Sequence, residues 1–163
     1  MTDEERFRAV FVHLGRIAGY ARRRGSRDPE ALAAETMTIA WRRLGDVPRD
    51  DPLPWLYATA RNLLLAERRT PPAAHEVPEV PADDPERTAL DPQLDRALRA
   101  LAPRDREALL LIAWDDLTPA QAAKALGIAA PAFRVRLLRA RRRVRALLAN
   151  DTAPLIRLDV EEA

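Results

Sequence analysis

Residues 70–92 divide this chain in two. They hold six of its fourteen prolines and six acidic residues against one arginine, Arg87. Their apolar residues follow neither a helical nor a strand period. Proline presets extended backbone and like charges repel, so the segment reads as a semi-stiff acidic linker. At about 3.1 Å per residue it reaches up to roughly 70 Å. A single core running through it is not expected. His75 falls inside it and reads as solvated.

The two flanking blocks are cationic. Residues 1–69 hold 13 basic and 10 acidic residues, and residues 93–149 hold 12 and 5. Residues 150–163 form an acidic tail with four acids and one arginine. The whole chain is only +2, so the partition says more than the total. Two basic blocks around an anionic spacer point to a polyanionic partner. Of the 27 basic residues only Lys124 is a lysine.

Several chemistries are poorly supported. There is no cysteine, hence no disulfide, thiolate site or thiol nucleophile. His13 and His75 lie in no ligand-spaced cluster, and the five glycines form neither G-x-G-x-x-G nor a P-loop. No metal, no cofactor and no enzyme activity are expected. The acidic start Met1–Glu5 is no signal peptide, and no stretch approaches the roughly 20 apolar residues of a membrane span. The expected protein is cytoplasmic and all-α.

The blocks read as helices. Phe7, Val10, Phe11, Leu14, Ile17 and Ala18 recur at spacings of three and four, which predicts one amphipathic helix with His13 off its stripe. Ser26 to Glu30 offers a capping side chain, a proline and an early acid, starting a helix that stops near Gly45. Another helix runs from Trp55 to about Arg69. In the second block, a helix with Leu94, Leu98 and Leu101 breaks at Pro103, and one from about Arg104 reaches Trp114. Thr118, Pro119 and Gln121 then give a capping box, and Gly127 closes a short helix. Pro131 opens a long helix to about Leu148.

A short capped helix, a glycine turn and a long basic helix form the helix-turn-helix pattern. At 100° per residue, Leu137, Ala140, Val144, Leu147 and Leu148 fall within about 60° of Phe133 and define the core face. Val135, Leu138, Arg139, Arg142 and Arg145 fall opposite, with Arg134 and Arg141 on one edge and Arg136 and Arg143 on the other. Arginines suit guanine edges and phosphates, and the two aliphatics suit thymine methyls. A solvated basic helix whose aliphatics meet another protein is the plainer alternative; the capped helix ahead of it favours DNA.

Three segments carry a family resemblance. Residues 28–44, from Asp28-Pro29-Glu30 through Trp41-Arg42-Arg43-Leu44, are the first. Pro54-Trp55-Leu56-Tyr57-Ala58-Thr59-Ala60-Arg61-Asn62-Leu63 is the second, and Leu101-Ala102-Pro103-Arg104-Asp105-Arg106-Glu107 with the helix-turn-helix is the third. In this order and spacing the chain resembles a bacterial RNA polymerase sigma factor of the extracytoplasmic-function (ECF) group. The resemblance implies two small helical domains, residues 1–69 and 93–149, joined by the linker 70–92 and followed by the tail 150–163. It implies a factor that docks on core RNA polymerase, directs it to promoter DNA and helps open the duplex. An anti-sigma factor is a candidate third partner. The remaining alternatives are a stand-alone helix-turn-helix regulator and a helical adaptor that binds no DNA.

Residue roles follow from the same resemblance. Leu32, Glu35, Met37 and Trp41 would lie in the helix that docks on the polymerase, with Glu35 as the polar contact; Met37 and Trp41, four apart, read first as core and second as interface. Asp50, Leu53, Arg61 and Asn62 would serve the −10 element, the loop from Asp46 to Leu53 holding an extruded base. Arg134, Val135, Leu138 and Arg139 would face bases of the −35 element, and Arg136, Arg141, Arg142 and Arg143 would join them at that DNA surface. The chain departs from the family at Ala31, Ala33 and Ala34, at Pro52-Leu53-Pro54, and at the turn Ala129-Ala130-Pro131-Ala132. Val135 and Leu138 replace residues that are often polar there, so the promoter sequence of relatives does not transfer.

Overall fold

A computed structural model describes residues 1–72 and 91–158, with side chains through Asp151. Most of the linker, 73–90 with His75, and the last five residues lie outside the described residues. Among the described residues there are eight helices and no strand. The described chain divides into two compact units. The first holds 1–72 with 123–128 grouped to it; the second holds 91–122 and 129–158.

The first unit begins with α1 (Asp3–Phe11) and α2 (Leu14–Arg23). Thr2 and Glu5 cap α1 reciprocally, at 3.2 Å from the Glu5 N–H to Thr2 Oγ1 and 2.7 Å from the Thr2 N–H to Glu5 Oε2. The single helix expected through Ala18 is thus two. His13 sits at φ −86° and ψ 0°, and its N–H reaches the Val10 carbonyl only three residues back. A tight turn that preserves the three-and-four spacing is invisible to periodicity. His13 lands half-buried at the rim. Its pKa is lowered, first by burial and then by Arg16, with Asp51 opposing.

Next come α3 (Pro29–Arg42) and α4 (Leu53–Arg69). Asp28 caps α3, its Oδ1 accepting the Ala31 N–H at 2.9 Å, with Pro29 in the first turn as expected. Gly25, at φ 74°, makes the turn out of α2 that a Cβ would strain. Ile17, Tyr20, Leu32, Met37, Leu56 and Tyr57 are buried, and the Tyr20 and Tyr57 rings meet edge to face at 5.2 Å. Burial of each such side chain is worth about 1.5–3 kcal/mol relative to exposure. Two polar ties fix the loops. Arg6 donates to the Val47 carbonyl at 2.7 Å, and Glu67 on α4 accepts the Ser26 hydroxyl at 2.9 Å.

The second unit holds α5 (Pro92–Ala100), α6 (Pro103–Ala113), α7 (Pro119–Leu126, apart from the end grouped above) and α8 (Ala130–Leu158). Asp91 caps α5 by accepting the Gln93 N–H at 2.8 Å. Ala97, Leu98 and Leu101 pack on Ala140 and Val144 of α8, with Leu94, Leu109, Trp114, Leu147 and Leu148 around them. The predicted stripe of α8 is therefore its core face. The helix runs ten residues past the end expected near Leu148. Along that extension, Asp151 lies 3.5 Å from Arg96 on α5, an exposed ion pair.

Candidate nucleic-acid interface

Local chemistry shapes the approach to α8. Thr118 and Gln121 form the expected capping box on α7: the Gln121 N–H donates to Thr118 Oγ1 at 3.2 Å, and the Thr118 N–H to Gln121 Oε1 at 3.0 Å. Gly127 takes φ 66°, and the Ile128 N–H closes on the Ala123 carbonyl at 3.0 Å. Asp116 takes φ 55°, a conformation its short polar side chain tolerates.

On α8, Phe133, Leu137, Ala140 and Val144 are buried. Val135 and Leu138 are 63 % and 47 % exposed. Arg134, Arg139, Arg141, Arg142, Arg143 and Arg145 are exposed, and Arg136 is half-buried. No acid occurs between Asp116 and Asp151. Arg139 apart, the outward face thus carries positive charge, with no acid in that stretch of the chain, around two apolar side chains. Such a face attracts a polyanion by charge and can still make apolar contacts to base edges.

Arg139 differs from its neighbours. Its Nη2 lies 2.7 Å from Asp105 Oδ1, and its Nε lies 3.0 Å from Oδ2. Asp105, in the first turn of α6, is 8 % exposed. Hydrogen bonds from Arg139 hold its carboxyl below the usual carboxylate range; burial opposes this, and the charges of Arg139 and Arg136 add to it. No local signal in the sequence points to the pair. An acid in a first turn reads as a complement to the helix dipole, and its partner is 34 residues away.

The candidates in the first unit split by exposure. Glu35 and Trp41 on α3 are exposed, whereas Leu32 and Met37 are buried in the core. Asp50 and Asn62 are exposed, Arg61 is half-buried, and Leu53 is buried at the start of α4. The loop before α4 is held by Val47, which is 1 % exposed, and by the Arg43–Asp46 pair at 2.8 Å.

A surface that helical spacing does not reveal lies beside Trp41. Phe7 meets the Trp41 ring at 5.1 Å and 73°, and Phe11 lies 5.8 Å from Phe7. With Leu14, Ala34, Met37 and Thr38 these rings line a cavity of about 380 Å³. Phe11 is 47 % and Trp41 50 % exposed. Helical spacing assigns Phe11 to the core; the α1–α2 turn leaves it at the rim.

Residues 92–144 match the family described as Sigma-70, region 4. The chain is similar to CnrH, solved in complex with the cytosolic domain of CnrY. That similarity is 27 % identity over 89 % of this chain and 88 % of that one, with a TM-score of 0.65. It also shares its fold with the sigma factor RpoE, solved in complex with the anti-sigma factor NepR from Bartonella quintana. There the identity is 21 % over 87 % of this chain and 95 % of that one, with a TM-score of 0.60. No curated protein sequence matches the chain. Sigma-70 region 4 thus lies in the second unit, and over most of its length the chain is similar in fold to CnrH and to the sigma factor RpoE.

Proposed function

We propose that this protein binds core RNA polymerase, brings it to a set of promoters and leaves the chemistry of RNA synthesis to the polymerase. The observation that carries this reading is the row of exposed arginines on α8 between Arg134 and Arg145, with Val135 and Leu138 exposed among them, inside a region 4 sequence. In this reading α8 lies in the major groove of the −35 element. Arg134, Val135 and Leu138 meet base edges, and Arg136, Arg141, Arg142 and Arg143 hold flanking phosphates.

The first unit docks on the polymerase and serves the −10 element. Of the four candidates on α3, Glu35 and Trp41 are available to a partner; Leu32 and Met37 act by holding the helix in place. Asn62 is the base-reading candidate on α4, with Asp50 on the loop and Arg61 beside a phosphate. Leu53 is a wall of the loop rather than a contact. The complex of RpoE with the anti-sigma factor NepR supports an anti-sigma factor as a third partner.

Run-off transcription with purified core polymerase on fragmented genomic DNA tests the proposal. The chain should co-elute with polymerase and create a restricted set of new start sites. Tight duplex binding without stimulated transcription favours the stand-alone regulator instead.

A further inference from the structure

We infer that Asp105 is a positioning residue for base recognition, holding the Arg139 guanidinium in one plane so that its outer edge is presented from α8. This rests on the reading of α8 as the DNA-reading helix.

The geometry is side-on. Asp105 takes the Nε–H and one Nη2–H of Arg139, at 3.0 and 2.7 Å. A guanidinium has five N–H donors in a rigid fork, so three are outside this pair. Those on Nη1 and the second of Nη2 form the end-on edge, the edge that pairs with the O6 and N7 of guanine. The two partners are unequally buried. The Asp105 side chain is 11 % exposed and that of Arg139 is 62 % exposed. A strut between α6 and α8 accounts for the buried carboxylate but not for a planar donor group left in solvent. On the helix, Arg139 lies within about 100° of Val135, Leu138 and Arg142, the outward face.

Fixing the plane has two consequences. A side chain already ordered loses less freedom on binding, so its contact discriminates more sharply between bases. The pair is also neutral, so Arg139 adds less to sequence-independent attraction than its unpaired neighbours do.

The test uses holoenzyme assembled from the full chain and core polymerase, binding duplexes with a randomised upstream element. The wild type should prefer one base at the Arg139 position by about tenfold or more. Asp105→Ala and Arg139→Ala should each lose most of that preference at the same position, and the double substitution should lose no more. Asp105→Ala should leave the salt slope on non-preferred DNA undiminished, which a damaged helix pair would not. Asp105→Glu, which keeps the carboxylate, should recover part of the preference. If Asp105→Ala unfolds the second unit, Asp105→Asn takes its place. An intact preference in the Asp105 variant overturns the inference, as does an Asp105 effect that persists without Arg139. A wild-type holoenzyme with no base preference anywhere in the library overturns the promoter reading itself, a result distinct from uncoupling these two residues.

Discussion

The two units expose opposite kinds of surface. Beside α3 the first unit shows aromatic side chains, with Phe11 and Trp41 about half exposed around a cavity. Along α8 the second shows arginines with two aliphatics between them. An apolar surface gains by shedding water and is nearly indifferent to salt. A cationic one gains by releasing counterions and weakens steeply with salt. The first suits a protein partner and the second a nucleic acid, within a single chain whose net charge is only +2.

The largest expected effect separates the units energetically. Leu101→Ala removes a buried side chain from the α5–α8 cluster and should cost about 2–5 kcal/mol. Hydrogen exchange should show the loss in α5, α6 and α8 while α2, α3 and α4 keep their protection. Equal loss in α2–α4 would show one cooperative fold and break the comparison.

The contrast in surface chemistry comes next. Trp41→Ala should weaken polymerase binding by about 2 kcal/mol, the scale of an aromatic anchor, with little change in its salt dependence. Replacing Arg141, Arg142 and Arg143 by Ala should instead lower the salt slope of DNA binding by about 0.9 for each phosphate that is no longer neutralised. Titration of both complexes across ionic strength checks this; the opposite assignment of salt effects would exchange the roles of the two surfaces.

The smallest effect concerns pH. The Asp105 carboxyl has a lower pKa folded than unfolded, chiefly through the Arg139 hydrogen bonds. Its contribution is therefore complete above the unfolded value of about 4 and is lost as pH falls through the lower folded value. Urea unfolding of the second unit from pH 5 downward should lose stability more steeply in the wild type than in Asp105→Asn. Identical pH profiles would show that the pair contributes nothing to the folded state.

Helices, caps and the core stripe of α8 were legible because each is local. Thr118 and Gln121 are three residues apart, and Phe133 to Val144 repeat at helical spacing. The α1–α2 break was not legible, because a turn at His13 keeps the apolar spacing intact. Exposure within a helix was also only partly legible. Leu32, Met37 and Trp41 share one helix and similar hydrophobicity, yet two are buried and one is half exposed.

By itself the sequence determined the helical class and the charge carried by each block. These depend on composition and on intervals of three or four residues, which the backbone reads directly. Tertiary structure alone decided that Asp105 meets Arg139 and that Phe7, Phe11 and Trp41 converge on one cavity. Those contacts join residues about 30 positions apart, and only the packing of one helix on another sets which side chains meet.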